Sequence, residues 1–512
     1  MKAAIQRLLP KNRFARSVSV LAGGTVAGQA IVVLASPVLT RLYTPEDFGL
    51  LAVFASLLGI LSVVVGLRYE LAIPLPENED DATSIAALNL LIVLGMTALC
   101  MVFIVLFRAP VADLLNAPAL EIYLWLLPVG LLFFGIYQVL SYWAIRTKEY
   151  PAIALTKLTQ AIGITGIQVC GYALGPLALI LGQVIGQGLG VVALARKIKK
   201  PQCLSSAKDD NEVGSVEYSK LKSEKNDAKR QKCCLCLGNI KHQASAYREF
   251  PLLATWTGLA SAAGMQLIPL LIFIYFGGAA AGYFSITHRI MSLPMSVMGQ
   301  SVGDVFYREA VDAYRQGTLG ALVIKTNKIL IVMALPVVLF GSLIAPQVFY
   351  MVFGAEWKTA GVIAQCIAPW MFLQFITTPS TRIYPILGKH KLALLFQVSF
   401  FLFSIMAIGV GSLVFESFIS CVLFLSLGNS IIYLVRLLVS VKLAGGSPLV
   451  PLSNLANHGM VSILACSPLV ILYAYSGDFH GVDKTWASMV LVTLVMVTIS
   501  IYRLLMVKKN VN

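Results

Sequence analysis

Charged residues are scarce in this chain of 512 residues. Asp, Glu, Lys and Arg together make up 12% of the sequence, whereas 58% of the residues are hydrophobic. An ordinary soluble domain carries about twice that share of charge. This deficit excludes an ordinary soluble protein and indicates a polytopic integral membrane protein.

Apolar stretches of about 20 residues, the length that crosses a bilayer as a helix, recur along almost the whole chain. We predict fourteen spans, at residues 18–41, 48–67, 85–107, 122–144, 152–173, 176–195, 250–274, 280–303, 329–349, 361–384, 392–413, 419–441, 457–475 and 486–506. One long polar loop, 196–248, separates the sixth span from the seventh, and every other connection is short. The predicted fold class is therefore an all-α polytopic membrane protein.

The connecting segments differ in their content of Lys and Arg. If the N-terminus is inside, the outer turns hold only Arg41, Arg108, Lys358 and Lys484, and the other basic residues of the connections lie on the inner side. Because basic loops stay in the cytoplasm, we predict that both termini are cytoplasmic. The basic segment at residues 1–16 leads into an apolar run without a cleavage-type ending, which predicts a first span and not a signal peptide. The net charge of +15 reflects this asymmetry and does not indicate nucleic-acid binding.

No Asp or Glu lies well inside any predicted span, but four basic residues do: Lys157, Arg289, Arg382 and Arg436. Lys157, Arg382 and Arg436 lie within about two turns of the predicted cytoplasmic ends of their spans. Snorkelling to the interface explains these three as well as a function does. Arg289 lies near mid-depth, where a charge is costly, and we predict that it faces a hydrated cavity and binds an anion such as a phosphate or pyrophosphate.

The two halves of the chain share a weak repeat. The segment LYTPEDFGLLAVFAS (Leu42–Ser56) is echoed by YFGGAAAGYFSITHR (Tyr275–Arg289), since each has an aromatic residue, a short turn and a Gly that opens a span. Pro37 precedes the first of these glycines, Gly49, by 12 residues, and Pro269 precedes the second, Gly282, by 13 residues. Parallel repeats of this kind build transporters around a central site, and interrupted helices at matching positions point to that site. We predict two six-helix lobes around a central cavity, with Pro37 and Pro269 as hinge candidates.

This repeat predicts the organisation of the chain. Residues 1–195 form an N-lobe, 196–248 a cytoplasmic loop, 249–441 a C-lobe, and 442–512 two added helices with a cytoplasmic tail. Within the first motif, Thr44 is a natural N-cap and Pro45 suits the first helical position. The motif therefore predicts a tight turn that opens the second span.

Neither a metal site nor a catalytic site is predicted. Cys233, Cys234, Cys236 and His242 lie in the long loop, but their spacing matches no standard zinc pattern. The acidic stretch PENEDDA (Pro76–Ala82) lies on the predicted cytoplasmic side, where it caps and solvates the turn before the third span. The sequence shows no paired-carboxylate, Ser-His-Asp or Gly-rich phosphate pattern, so we expect no cofactor and no enzymatic activity.

Three stretches resemble a known family. LTRLYTPEDFGLLAVFAS (Leu39–Ser56) and RYELAIPLPENEDDA (Arg68–Ala82), with DVFYREAVDAYRQG (Asp304–Gly317) in the second half, are similar to the Wzx-like polysaccharide-biosynthesis flippases of the multidrug/oligosaccharidyl-lipid/polysaccharide (MOP) superfamily. The resemblance implies a two-lobed bundle of twelve to fourteen helices in the bacterial inner membrane. It also implies movement of a polyprenyl-pyrophosphate-linked oligosaccharide to the outer leaflet, for O-antigen, capsule or exopolysaccharide.

In such flippases, basic residues of the cavity engage the pyrophosphate. By position Arg289 fits this role best and Lys157 comes next. The remaining candidates lie at the rim or near a span end: Arg41, Arg68, Arg308, Arg382 and Arg436. The resemblance implies lipid-linked oligosaccharide and membrane lipids as partners, with polysaccharide polymerase or assembly proteins as further ones.

Two other functions remain open. A drug or metabolite antiporter of the same superfamily would need an intramembrane carboxylate to exchange with H⁺ or Na⁺, and the predicted spans offer none. A membrane polymerase or glycosyltransferase of the same pathway would carry large outer loops, and the predicted outer turns are short.

Overall fold

The computed structural model describes residues 13–198, 237–293, 303, 306–307, 309–415, 417–460 and 462. The long helices are α1 (Arg13–Leu42), α2 (Pro45–Val64), α3 (Glu79–Leu114), α4 (Leu126–Arg146), α5 (Tyr150–Cys170), α6 (Pro176–Ala195), α7 (Leu237–Ala246), α8 (Thr255–Met291), α9 (Leu319–Phe353), α10 (Lys358–Thr377), α11 (His390–Val414) and α12 (Phe418–Leu443).

The described elements are all helical, which confirms the predicted fold class. Eleven of the described helices are long and apolar enough to cross a membrane. They account for the first twelve predicted spans, because α8 contains two of them. Predicted spans 13 and 14 lie outside the described residues, except for residues 457–460 and 462.

α8 is interrupted where the sequence predicts a turn between two spans. Gly277 has φ 85° and ψ 178°, a conformation outside the helical region that glycine adopts without steric cost. The backbone therefore changes direction here, and helix resumes at Gly278. The part that follows Gly277 carries Arg289.

The turn before α2 has the predicted cap. The backbone N–H of Asp47 donates to Thr44 Oγ1 at 3.3 Å, and the backbone N–H of Thr44 donates to Asp47 Oδ2 at 3.0 Å. This reciprocal pair satisfies donors that the first turn of a helix leaves open. The acids of the motif therefore have a local structural role.

The chain divides into two compact units. Unit 1 comprises residues 1–35 and 50–266, and unit 2 comprises residues 36–49 and 267–512. The boundaries between the units fall within α1, α2 and α8. The C-terminal end of α1 and the start of α2 belong to unit 2, and the first part of α8 belongs to unit 1.

Unit 1 contains a closely packed helix pair, α5 and α6. A Cβ on Gly186 would meet the Ile164 side chain, and one on Gly190 would meet Gln160. At the predicted cytoplasmic end, Arg146 of α4 donates to the backbone carbonyl groups of Ile73, Pro76, Glu77 and Asn78. This side chain therefore ties the connection between α2 and α3 to α4.

The segment 196–248 is not entirely loop, which corrects the sequence prediction. Residues Leu237–Ala246 form α7. Gln243 Nε2 donates to Asp81 Oδ1 at 2.7 Å, and the Tyr69 hydroxyl donates to the Ala244 carbonyl at 3.0 Å. These tertiary bonds hold a short helix whose own sequence is only weakly apolar. Cys233, Cys234 and Cys236 lie outside the described residues.

Unit 2 is organised around Trp357, which is fully buried. Its indole N–H donates to the Thr40 carbonyl at 2.9 Å. Its ring makes edge contacts with Phe48 and Tyr283, with centroid distances of 5.3 and 5.8 Å. One side chain thus joins the ends of α1, α2 and α10 to the second part of α8.

Candidate anion-binding residues

Arg289 lies in the second part of α8, twelve residues beyond Gly277. At 1.5 Å per residue this is about 18 Å along the helix. If Gly277 lies at the edge of a hydrocarbon core about 30 Å thick, this distance places Arg289 near the middle of the core. The side chain is partly buried. Its guanidinium makes no hydrogen bond or ion pair with any residue that the structure describes.

The neighbours of Arg289 fix the rotation of this helix. Thr287 Oγ1 donates to the Ala360 carbonyl at 2.9 Å. The His288 ring stacks on Phe284 at 5.8 Å and contacts Trp370 at 6.0 Å. Packing therefore accounts for His288, and no chemical role is assigned to it. These contacts hold α8 against α10.

Lys157 of α5 is held inside unit 1. Its Nζ lies 4.6 Å from the centroid of the Tyr137 ring, a cation–π contact. The Tyr137 hydroxyl is in turn 3.1 Å from Thr156 Oγ1. These contacts hold the ammonium group of Lys157 against α4.

Arg436 of α12 is also held by aromatic side chains. Its guanidinium carbon lies 5.8 Å from the Tyr384 ring centroid and 5.9 Å from that of Phe396. Arg436 Nε is buried and has no hydrogen-bond partner among the described residues. Such cation–π contacts hold the guanidinium within unit 2.

Arg68 forms the most complete polar cluster of the candidates. Its backbone is left-handed, with φ 61°, and it leads into a short 3₁₀ helix, Tyr69–Ala72. Arg68 Nη1 lies 3.9 Å from Glu70 Oε1, and Asn89 Nδ2 donates to Glu70 Oε2 at 3.3 Å. Burial raises the pKa of the Glu70 carboxyl, against the lowering effects of a backbone hydrogen bond, the Asn89 bond and the Arg68 charge.

The remaining cations are more peripheral. Arg41 is exposed at the end of α1, and its Nη2 donates to the Met351 carbonyl at 3.2 Å. Arg382 is exposed in a 3₁₀ turn after α10, so it lies beyond the span in which the sequence analysis placed it, because that helix ends at Thr377. Arg308 lies outside the described residues.

The two hinge candidates lie next to the boundaries between the compact units. Pro37 is within α1, two residues after the boundary at Ala35, and Pro269 is within α8, three residues after the boundary at Gln266. Proline removes one backbone hydrogen bond from a helix and weakens it locally. The prolines thus coincide with the places where the chain passes from one unit to the other.

Sequence reasoning missed Glu70 and Arg146 as members of the polar end of unit 1. Glu70 lies in a short connection and Arg146 is the last residue of α4, and at neither position does periodicity indicate a buried contact. Glu70 is 2% exposed. The signal in the sequence that could have identified it is its position two residues after Arg68. Asn89, which the sequence shows as one more polar residue in a span, is the group that binds Glu70.

Unit 1 also contains an apolar cavity of about 500 Å³ between α2, α3 and α4. Its walls include Leu57, Leu61, Cys100, Phe103 and Leu131. None of the candidate cations lines it. The cavity therefore suits hydrocarbon and is not a head-group site.

Comparison with known proteins places the chain in a family. The model of a family described as polysaccharide biosynthesis protein matches residues 38–207 and 239–361, more than half of the chain. No curated protein matches the sequence.

Solved structures show the same architecture at low sequence identity. The lipid II flippase MurJ in an inward closed conformation aligns with 13% identity and a TM-score of 0.66, over 95% of this chain and 99% of MurJ. An inward-facing multidrug resistance MATE family transporter of the MOP superfamily aligns with 14% identity and a TM-score of 0.54, over 84% of this chain and 94% of that one. At such identities the likeness establishes the fold. The chain is a multi-pass membrane protein that belongs to the polysaccharide biosynthesis protein family and has the fold of the MOP superfamily.

Proposed function

We propose that this protein is a flippase that moves polyprenyl-pyrophosphate-linked oligosaccharide from the inner to the outer leaflet of the bacterial cytoplasmic membrane, with both termini cytoplasmic. The observation that carries the proposal is Arg289, a cation at mid-depth in a membrane span without a partner among the described residues. A charge in that position is costly unless water or a counter-ion meets it. A diphosphate supplies the counter-ion that a guanidinium binds best.

The family and the fold support a transporter. The matched family is one of polysaccharide biosynthesis, and the two structures cited above are of a lipid flippase and a multidrug transporter. A flippase of this pathway must carry an anionic head group past the hydrocarbon core. The product would supply O-antigen, capsule or exopolysaccharide, and polymerase or assembly proteins would then act on it.

The proposed mechanism is alternating access. Parallel repeats move against each other around a site near the bilayer midplane. Arg289 and Lys157 bind the pyrophosphate, and Arg41, Arg68, Arg308, Arg382 and Arg436 form further basic contacts on its route. Pro37 and Pro269 allow α1 and α8 to bend as access changes from one side to the other.

The test is the sidedness of lipid-linked oligosaccharide in cells that lack the protein. We expect complete units to accumulate on the cytoplasmic leaflet and surface polysaccharide to be lost. Complementation with wild type restores export, whereas Arg289→Ala does not. Normal export with failed polymerisation would instead identify a polymerase or glycosyltransferase, and no change in either would favour an antiporter of the same superfamily.

A further inference from the structure

Glu70 belongs to a buried polar cluster that the proposed mechanism leaves unused. Glu70 and Asn89 are 2% and 0% exposed, and Arg68 has 24% of its side chain exposed. The left-handed backbone of Arg68 turns the chain sharply after α2. Only one residue separates Arg68 from Glu70, and this turn brings the guanidinium of Arg68 and the carboxylate of Glu70 into the same cluster.

The cluster is not fully bonded as it stands. Asn89 Nδ2 donates to Glu70 Oε2, but Asn89 Oδ1 is buried and has no hydrogen-bond partner among the described residues. A Cβ on Gly66 would lie 2.8 Å from Glu70 Oε2 and 2.9 Å from Asn89 Oδ1. The two oxygens therefore lie over the same glycine, and both are acceptors.

A proton on Glu70 would complete this arrangement. A neutral carboxyl group has an O–H donor, and Asn89 Oδ1 is an acceptor that awaits one. A charged carboxylate instead accepts from Asn89 Nδ2 and attracts Arg68. Each protonation state of Glu70 thus has its own set of partners, and only the charged state holds the guanidinium.

Few other charges face Glu70 from the elements packed against it. α3 presents Asn89, and its acids Glu79, Asp80 and Asp81 lie about 12–15 Å away along the helix. α4 presents the Tyr142 phenol near Glu70 and Arg68, while Arg146 of the same helix is occupied by backbone carbonyl groups. α7, which contacts Tyr69, carries Lys241 and His242, and both are exposed. The turn at Phe250–Ala254 is apolar, and the preceding Arg248 and Glu249 are exposed.

The contact with Glu70 leaves part of the Arg68 guanidinium without a partner among the described residues. Its side chain is partly exposed, and its Nε is buried without a hydrogen-bond partner among the described residues. The guanidinium packs over Gly258, where a Cβ would collide with it. It can therefore bind either the Glu70 carboxylate or an external anion, but one ion pair weakens the other.

We propose that Glu70 binds a proton, and that its deprotonated carboxylate competes with the diphosphate of the substrate for Arg68. This inference rests on the proposed function for the nature of the anion. Transfer of one proton from water to a Glu70 carboxylate oxygen neutralises the carboxylate, moves its bond to Asn89 Oδ1 and frees Arg68. By linkage, a bound diphosphate must raise the affinity of Glu70 for a proton by the same factor by which protonation strengthens diphosphate binding.

The experiment follows the carboxyl band of Glu70 by infrared difference spectroscopy of the full-length protein in lipid nanodiscs. The band of the protonated carboxyl is titrated with pH in wild type, Glu70→Gln and Arg68→Gln. We expect Glu70→Gln to lose the band and Arg68→Gln to shift its titration to higher pH. A band that persists in Glu70→Gln, or that titrates identically without Arg68, overturns the proposal.

Addition of inorganic pyrophosphate tests the competition. We expect it to shift the Glu70 titration to higher pH in wild type and to have no effect in Arg68→Gln. An unchanged titration in wild type at saturating pyrophosphate overturns the proposal. A short-chain prenyl pyrophosphate that produces the same shift at lower concentration assigns the diphosphate to a lipid, whereas equal potency assigns it to the free anion.

The outcome is independent of the cellular test of the flippase. A pyrophosphate-dependent shift together with normal oligosaccharide export in the deletion strain would leave the proton site standing and refute the flippase. Accumulation of oligosaccharide together with an unchanged titration would support the flippase and refute the proton site. Exposed Arg108, which pairs with Glu121 at 3.3 Å, supplies the control variant Arg108→Gln.

Discussion

Gly49 and Gly282, the two glycines of the sequence repeat, pack against each other in unit 2. A Cβ on Gly282 would lie 3.1 Å from the Gly49 nitrogen and would collide with the Pro45 carbonyl oxygen, and a Cβ on Gly49 would collide with the Gly278 carbonyl oxygen. The start of α2 and the second part of α8 therefore cross with their backbones in contact. The repeat thus marks a helix crossing.

Gly282→Ala is expected to destabilise the protein by about 1–3 kcal/mol, because a methyl group would overpack a contact made by backbone atoms that cannot move aside. Thermal unfolding in detergent measures the change. Gly341→Ala is the control, since a Cβ at that position of α9 meets nothing within 4 Å. Equal melting temperatures for the two variants would contradict the close crossing.

Arg289→Ala is expected to abolish transport while the protein still accumulates in the membrane. Arg289→Lys keeps the charge but loses the planar fork, and partial transport is expected. Export in complemented cells and protein level in membrane fractions measure the two effects. Arg108→Ala, at an exposed surface pair, should transport normally; full activity in Arg289→Ala would refute the assignment.

Arg146→Ala is expected to lower the free energy of unfolding by at least about 2 kcal/mol, because the carbonyl groups of the connection after α2 would lose a charged donor. Arg196→Ala is the matched control, since Arg196 is exposed at the end of α6. Melting temperatures of both variants, together with protease sensitivity of the connection, measure the effect. Equal losses in the two variants would show that Arg146 does not organise this end of unit 1.

Pro37→Ala and Pro269→Ala are expected to slow transport without loss of folding. Each substitution allows the missing helical hydrogen bond to form, which stiffens a helix beside a boundary between the compact units. Transport rate and melting temperature are measured together. Pro336→Ala in α9 is the control, because its helix lies within unit 2; unchanged rates in all three variants would remove the hinge assignment.

The Glu70→Gln variant is expected to be more stable than wild type, and the difference is expected to be larger at pH 8 than at pH 5. Burial raises the pKa of the folded carboxyl, so the folded state holds its proton more tightly than the unfolded state does. Wild-type stability therefore falls as pH rises above the unfolded pKa, and the amide variant escapes this loss. Melting temperatures of both proteins at the two pH values measure it, and a constant difference would contradict the raised pKa.

The sequence alone predicted the helices that cross the membrane. Their signal is strong because a bilayer demands long apolar runs. The first twelve spans, the capped turn at Thr44 and a turn between the seventh and eighth spans therefore follow from local composition. The family resemblance rested on the same motifs, and the family match confirms it. Arg289 was also identified from the sequence, since a cation in the middle of an apolar run is conspicuous.

Tertiary packing decided what those residues touch. α7 has little apolar character of its own and forms where Tyr69 and Asp81 supply partners. Glu70 lies in a connection, and its burial depends on Asn89, nineteen positions later in the chain. Arg146 and Trp357 likewise act on backbone carbonyl groups remote in sequence. Hydropathy predicts the membrane spans because each span is a continuous apolar stretch of sequence in an apolar environment. A polar contact, in contrast, depends on which two elements the fold brings together.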